Sequence, residues 1–141
     1  MIILAVDLGK KRTGLAICDK NEILSSPLET IIENDDNILI DKIQKKVQET
    51  KTEVLIIGLP KNMDGTLGES AIRAQSISSN LKNRLNIPII LWDERMTTVS
   101  AHMILSQANV RGKKRKNAID SLSASIILEN YLQFRKFTKS H

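Results

Sequence analysis

Apolar residues in the first third of the chain fall into three short runs, separated by polar or glycine-containing connections. The runs cover residues 1–7, 14–18 and about 22–26. Runs of this length bounded by turn residues are typical of β-strands, and short connections join antiparallel neighbours. We therefore predict three successive antiparallel strands. The third should leave the sheet at Pro27, because proline cannot donate a hydrogen bond to a central strand.

Helical and strand patterns alternate in the rest of the chain. Leu39, Ile43 and Val47 follow one another at steps of four, which is the spacing of an amphipathic helix. Val54 to Ile57 is a short apolar run of the kind found in parallel strands covered on both faces, and Gly58-Leu-Pro60 is expected to end it. The same patterns predict helices at 37–50, 69–85, 97–107 and 117–136 and strands at 54–57 and 87–92.

The resulting order of elements, βββαβαβαα, predicts an α/β protein with a mixed five-stranded sheet and helices on both faces. The 141 residues suit one domain, which we place at 1–136, with a frayed tail at 137–141. In this arrangement Asp7 and Glu94 both fall just after the carboxyl ends of strands. If those strands are parallel and near neighbours, the two acids lie at the edge where open α/β sheets place their sites.

Three acids from separate parts of the chain are candidate site residues: Asp7, Glu94 and, in the last predicted helix, Asp120. Two carboxylates at 4 Å repel by roughly 4 kcal/mol at an effective dielectric of 20, so a cluster needs protons, cationic side chains or a divalent ion. Mg²⁺ prefers oxygen ligands, and a pair of such ions suits phosphodiester hydrolysis. The pattern predicts a metal-dependent phosphate chemistry, with Mg²⁺ or Mn²⁺ held by these three residues.

Each acid also has a structural interpretation. Asp7 suits a turn residue whose side chain hydrogen-bonds nearby backbone, and Glu94 suits an ion pair with Arg95. Asp120 suits the first turn of a helix, where the helix dipole favours negative charge. Asp93 competes with Glu94 for the site, because alternation along a strand does not choose between two faces that are both buried.

Positive charge favours a polyanionic partner. The formal net charge is +5 and the pI is near 9.4. Residues 111–116 are expected to form a basic loop directly before the last helix, where cations would contact a phosphate backbone; the alternative is a solvated charge run. An aromatic content of 3% argues against recognition of single strands by stacking. The expected nucleic-acid-binding side chains are Lys11, Arg12, Arg95, Lys113, Lys114 and Arg115.

Cysteine content and hydropathy indicate the expected compartment. The single cysteine, Cys18, cannot form an internal disulfide and fits a reducing environment. The first apolar run lacks the basic leader of a signal peptide and meets Asp7 at once. Apolar stretches fall well short of the ~20 residues that span a bilayer. We therefore expect a cytoplasmic protein with no membrane partner.

Four groups of short motifs occur in order along nearly the whole chain. They are Ala5–Gly14; Gly58-Leu-Pro60 with Asp64-Gly-Thr66; Asp93-Glu-Arg95 with Thr97 and Thr98; and Lys114–Asp120 leading into Ile126–Leu128. Any one of them is weak evidence, but together, and with the matching length, they are specific. The chain resembles the YqgF family, also called RuvX, a branch of the ribonuclease H-like fold, over about residues 2–133.

The resemblance implies a ribonuclease H-like βββαβαβ core whose acidic site combines the first strand, a later strand and the last helix, at Asp7, Glu94 and Asp120. It implies a bacterial nuclease of ribosome maturation that trims pre-16S rRNA near its 5′ end, with ribosomal particles as partners. The older family label, Holliday-junction-resolvase-like, implies cleavage of branched DNA. The chain departs from the family at Ser123-Ala124, where two alanines are favoured; a serine there can bond to helix carbonyls without disturbing the fold.

Two further function classes are open at this point. The actin and sugar-kinase ATPases share an Asp-x-Gly phosphate loop, but they need two such domains around the nucleotide and this length suits one. A non-catalytic RNA-binding factor of ribosome assembly or transcription would leave the acids with structural roles. The presence of all three acids argues against that class.

Overall fold

The computed structural model describes residues 1–62, 64–94 and 112–139. The described strands are β1 (Ile3–Asp7), β2 (Arg12–Cys18), β3 (Ser25–Ile32), β4 (Val54–Leu59) and β5 (Ile89–Asp93). The described helices are α1 (Asp36–Thr50), α2 (Glu69–Arg84) and α3 (Gly112–Lys139). Within α3, the side chains of residues 112–120 and 139 are not described. The predicted helix at 97–107 lies outside the described residues.

The strands form one mixed sheet in the order β3-β2-β1-β4-β5. β1 pairs antiparallel with β2, and β2 with β3, whereas β1 and β5 both lie parallel to β4. The prediction of a mixed five-stranded sheet is confirmed. The carboxyl ends of β1, β4 and β5 therefore meet at one edge of the sheet, which we call the upper edge.

The third strand is longer than predicted and shifted along the chain, since it begins at Ser25 rather than about residue 22. It runs through Pro27, which lies opposite Ala16, and continues to Ile32. The expectation that the chain leaves the sheet at Pro27 is wrong because β3 is an edge strand, where a missing N–H need not break a ladder. The register shifts between Leu15 and Ala16, which accommodates the irregularity.

Helix α3 begins earlier and ends later than predicted. The backbone of residues 112–116 is already helical, so the expectation of a basic loop there is wrong. Lysine and arginine are good helix formers, and the segment contains no proline that would stop the helix from extending N-terminally. At the other end α3 continues to Lys139 rather than about residue 136. No helix among the described residues is long and apolar enough to cross a bilayer.

Two hydrophobic layers cover the sheet. Alternate side chains of β1 point to opposite faces: Leu4 and Val6 pack with the layer of α1 and α2, whereas Ile3 and Ala5 pack with the layer of α3. All four are fully buried. Continuing the alternation puts Asp7 on the α3 face. The face of the sheet that receives α3 is therefore the one on which a site at the upper edge must be built.

Candidate active site

Asp7 and Glu94 meet at the upper edge although their strands are not neighbours. β4 lies between β1 and β5, so at about 4.8 Å per strand spacing the two backbones are separated by about 10 Å. Glu94 directly follows β5, and its carboxyl group is hydrogen-bonded to that of Asp7. The side chain of Glu94 therefore reaches across the end of β4.

Gly58 is the residue of β4 that makes this crossing possible. A Cβ atom at position 58 would lie 2.6 Å from Glu94 Oε1, 3.0 Å from its Cδ and 3.0 Å from Cδ1 of Ile127 in α3. Any side chain there would displace Glu94, Ile127 or both. The strand ends within the predicted segment Gly58-Leu-Pro60, but it extends to Leu59, so Gly58 is part of β4. A glycine within a strand pattern often indicates such a close approach.

The Glu94 carboxyl group has an unusual affinity for its proton. Burial of the group, its hydrogen bond to Asp7 and the negative charges of Asp7 and Asp93 raise the pKa of Glu94 to about 8. A hydrogen bond between two carboxyl groups requires a proton on one of them. Near neutral pH the pair therefore holds a proton in the place of a cationic partner.

The structure brings Glu94, rather than Asp93, to Asp7. Trp92 faces α3, where its ring centroid lies 5.5 Å from that of Tyr131 and 5.4 Å from that of Phe134. Alternation along β5 then turns Asp93 toward the α1 and α2 face. The packing of Trp92 thus puts Glu94 on the same face of the sheet as Asp7, and the role of Glu94 in the site stays a prediction.

The backbone of Asp120 lies in α3, but its side chain is outside the described part of the chain. Ile127 of α3 lies over Gly58 at the upper edge, whereas Arg135 donates a 2.8 Å hydrogen bond to Glu22 near the lower edge. The helix therefore runs downward, and the residues before Ile127 lie toward Asp7 and Glu94. Position 120 lies eight residues after the first residue of α3, so the interpretation of Asp120 as a first-turn acid is wrong.

A complete three-ligand metal cluster is not present among the described side chains, which exclude that of Asp120. What the described residues do provide at the upper edge is a pair of carboxyl groups, from Asp7 and Glu94. Carboxylate oxygens are suitable ligands for Mg²⁺ and Mn²⁺. A third acid from the start of α3 would complete such a set.

The predicted cationic residues are only partly described. Lys11 is exposed and lies in the β1–β2 turn, and Arg12 is half-buried at the start of β2. The backbone of Lys113, Lys114 and Arg115 is helical, with side chains outside the described set, and Arg95 is also outside it. Along the chain, Lys11 and Arg12 lie four and five residues after Asp7, and Arg95 directly follows Glu94.

Arg73 also contacts the β1–β2 turn, which sequence analysis did not indicate. Its Nη1 donates a 2.7 Å hydrogen bond to the carbonyl oxygen of Gly9. Its Nε and Nη2 bind the carboxylate of Asp36 at the start of α1. An arginine within an amphipathic helix pattern carries no sign of such a contact, because its partners are 64 and 37 residues away along the chain.

Comparison with known proteins gives consistent results. The family model described as "RuvX: Holliday junction resolvase" matches residues 1–134. A relative from Thermoanaerobacter pseudethanolicus, named "Putative pre-16S rRNA nuclease", is 40% identical over 137 residues, covering 96% of this chain and 99% of the relative. A relative of the same name from Halothermothrix orenii is 38% identical over 135 residues, covering 96% of each chain.

Solved structures share the fold at low sequence identity. The RuvC protein of Thermus thermophilus in complex with a Holliday junction substrate superposes with a TM-score of 0.64 at 11% identity, covering 96% of each chain. A fowlpox virus resolvase bound to junction DNA gives 0.55 at 13% identity, covering 96% of this chain and 99% of the resolvase. These similarities confirm the predicted ribonuclease H-like architecture. With the family match over residues 1–134, they show that the chain belongs to the RuvX (YqgF) family of nucleases, which hydrolyse phosphodiester bonds.

Proposed function

We propose that this protein is a divalent-metal-dependent nuclease that trims the 5′ end of pre-16S rRNA during ribosome maturation. Asp7, Glu94 and Asp120 are its catalytic and metal-binding carboxylates. The single observation that carries the proposal is the hydrogen-bonded Asp7–Glu94 pair built across Gly58. The names of the relatives, which cover nearly the same length, support pre-16S rRNA as the substrate.

The acid pair fits a divalent cation. Two ionised carboxyl groups held against each other on one face of the sheet repel each other strongly. Because the pKa of Glu94 is about 8, a proton on the pair removes this repulsion below that pH. Mg²⁺ or Mn²⁺ bound by Asp7, Glu94 and Asp120 would replace that proton. When bound, such an ion activates water and stabilises the leaving oxygen in phosphodiester hydrolysis.

The protein's own residues then have separate tasks. Gly58 leaves free the space through which the Glu94 side chain reaches Asp7. Lys11 and Arg12 lie just beyond the first acid along the chain, where cations can hold the phosphates that flank the scissile bond. We propose that Arg95 and the basic start of α3, at Lys113, Lys114 and Arg115, contact the same backbone.

Branched DNA is the second candidate substrate. The description of the matching family model, Holliday junction resolvase, favours it. A cation-rich surface beside an acidic site would bind the phosphates of either nucleic acid, since phosphate contacts carry no sequence information. The two substrates must therefore be separated by experiment.

The test is a parallel cleavage assay of the purified protein on a 5′-extended 16S precursor RNA and on a four-way DNA junction. Each reaction is run with Mg²⁺, with Mn²⁺ and with EDTA. We expect metal-dependent shortening of the RNA at its 5′ end and little cleavage of the junction. Cleavage of the junction alone would support the second candidate. Binding of RNA without cleavage under any condition would instead favour a non-catalytic RNA-binding factor.

A further inference from the structure

The turn between β1 and β2 has no space for a side chain at Gly9. A Cβ atom at this position would lie 2.1 Å from the carbonyl oxygen of Arg12, so the backbone folds back closely on itself. Asp7 ends β1 directly before this turn, and Lys11 lies within it. The conformation of the turn therefore sets where the first acid and the neighbouring cations are presented.

Arg73 holds this turn from the opposite face of the sheet. Its Nη1 donates to the Gly9 carbonyl oxygen at 2.7 Å, while Nε and Nη2 donate to Asp36 Oδ1 at 3.0 and 2.8 Å. Nε also lies 3.2 Å from Asp36 Oδ2. All three guanidinium nitrogens are thus engaged, and the Arg73 side chain is 24% exposed. A planar guanidinium group that makes this many hydrogen bonds has one favoured orientation.

Asp36 is itself fixed, because it is the first residue of α1. The side chain of Asp35 caps that helix by accepting hydrogen bonds from the backbone N–H groups of Asn37 and Ile38. The contact therefore connects three elements: the second turn of α2, the capped start of α1 and the turn that follows Asp7.

We propose that Arg73 is a positioning residue for the catalytic site, acting through Gly9 to hold the β1–β2 turn and the acid that precedes it. The inference rests on the proposed nuclease function. Arg73 lies on the α2 side of the sheet, whereas Asp7 and Glu94 face α3, so it does not join the acid pair itself. It orders the backbone from which Asp7 and Lys11 project.

If Arg73 only stabilised the fold, its contacts would resemble those of an ordinary ion pair between helices. An ion pair that only joined α1 to α2 would contribute little beyond stability, as exposed pairs do. Arg84 provides that comparison in the same molecule, because it lies on α2 and pairs with Asp41 and Gln44 of α1 rather than with the turn. Arg84 is about 16 Å from Arg73 along the helix.

The test compares Arg73→Lys with the matched control Arg84→Lys. Lysine keeps the positive charge but has one nitrogen, so it cannot bind Asp36 and the Gly9 carbonyl in the same geometry. We expect Arg73→Lys to accelerate amide hydrogen exchange at residues 9–11 and to lower the rate of RNA cleavage at saturating substrate about tenfold or more, with a smaller change in KM. Arg84→Lys should change neither.

Asp36→Asn gives an independent variant, since an amide can still accept from Arg73 but lacks the charge. Asp36→Asn should also accelerate amide hydrogen exchange at residues 9–11, by a smaller factor than Arg73→Lys does. Equal exchange in Arg73→Lys and Arg84→Lys, or a loss of activity that matches the loss of melting temperature in both, would overturn the proposal. If the wild-type protein cleaves neither RNA nor DNA, the proposed function fails. The exchange data then decide separately whether Arg73 orders the turn.

Discussion

Glu94 lies so close to Gly58 that its Oε1 would be 2.6 Å from a Cβ atom at that position. The glycine is on β4, between the strands that carry the two acids, and its missing side chain is the space through which Glu94 reaches Asp7. The position of the Glu94 carboxyl group, which we propose to be catalytic, therefore depends on a residue that has no side chain.

Replacing Gly58 with alanine should disable the site. The new methyl group must displace either the Glu94 carboxyl group or Ile127 Cδ1, which would be 3.0 Å away. We expect cleavage to fall by about a hundredfold, because misplacement by an ångström has effects of that size. Overpacking should lower the free energy of unfolding by about 1–3 kcal/mol.

Gly68→Ala is the matched control for this substitution. A Cβ atom at Gly68 would have Asn62 Oδ1, at 3.8 Å, as its nearest contact, which is ordinary packing distance. Its cleavage rate should stay within about twofold of wild type, with a small loss of stability at the start of α2. Similar rates for Gly58→Ala and the wild type would show that Glu94 need not cross β4.

In the absence of metal, the Asp7–Glu94 pair should make the free energy of unfolding decrease as the pH rises. The pKa of Glu94 is about 8 in the folded protein against an ordinary value of 4.5. Between these values the folded state binds more protons than the unfolded state, so the free energy of unfolding decreases with increasing pH. The contribution is fully present below 4.5 and lost above 8.

Urea unfolding from pH 5 to 8.5 in EDTA measures this effect. One proton changes the free energy of unfolding by at most about 1.4 kcal/mol per pH unit. Glu94→Gln removes the titrating group, so the difference between its curve and that of the wild type isolates the contribution. Parallel curves for the two proteins would mean that the carboxyl group titrates normally.

Asp120→Asn separates catalysis from helix stabilisation. Asparagine keeps the size of the side chain, and position 120 lies eight residues after the first residue of α3, beyond its first turn, so the free energy of unfolding should change by no more than about 1 kcal/mol. A neutral amide is a poor metal ligand, and cleavage should fall by about a hundredfold or more. Glu129→Gln, at an exposed position of the same helix, is the control and should retain activity. An Asp120→Asn rate near that of Glu129→Gln would give the acid a structural role.

The basic start of α3 should govern the salt dependence of RNA binding. Replacing Lys113, Lys114 and Arg115 with alanine removes about two to three phosphate contacts, so the slope of log affinity against log salt should become shallower by about that number. Alanine favours the helix as well as lysine does, so the melting temperature should hardly move. An unchanged slope would mean that these charges only solvate the surface.

Four of the five strands were predictable because they are largely apolar and are joined by short turns or single helices, whereas the bounds of β3, a mostly exposed edge strand, were predicted wrongly. The crossing of Glu94 over β4 was not predictable, since it depends on which strands are neighbours and on a close approach at Gly58. The Arg73 contact with Gly9 was equally unpredictable from the sequence, because it joins residues 64 positions apart. Acids at strand ends leave a local pattern, whereas the residues that position them are defined by tertiary packing.

The central claim is that Asp7 and Glu94 act together as one metal-binding unit for RNA cleavage. The most direct measurement is the rate of Mn²⁺-dependent shortening of precursor RNA by wild type, Asp7→Asn, Glu94→Gln and the double variant. Asp19→Asn serves as control in a turn at the lower edge of the sheet. Each single variant should lose about a hundredfold in rate and the double variant little more, because groups that act as a unit are not additive. Near wild-type rates in either single variant, or losses that simply multiply in the double, would contradict the claim.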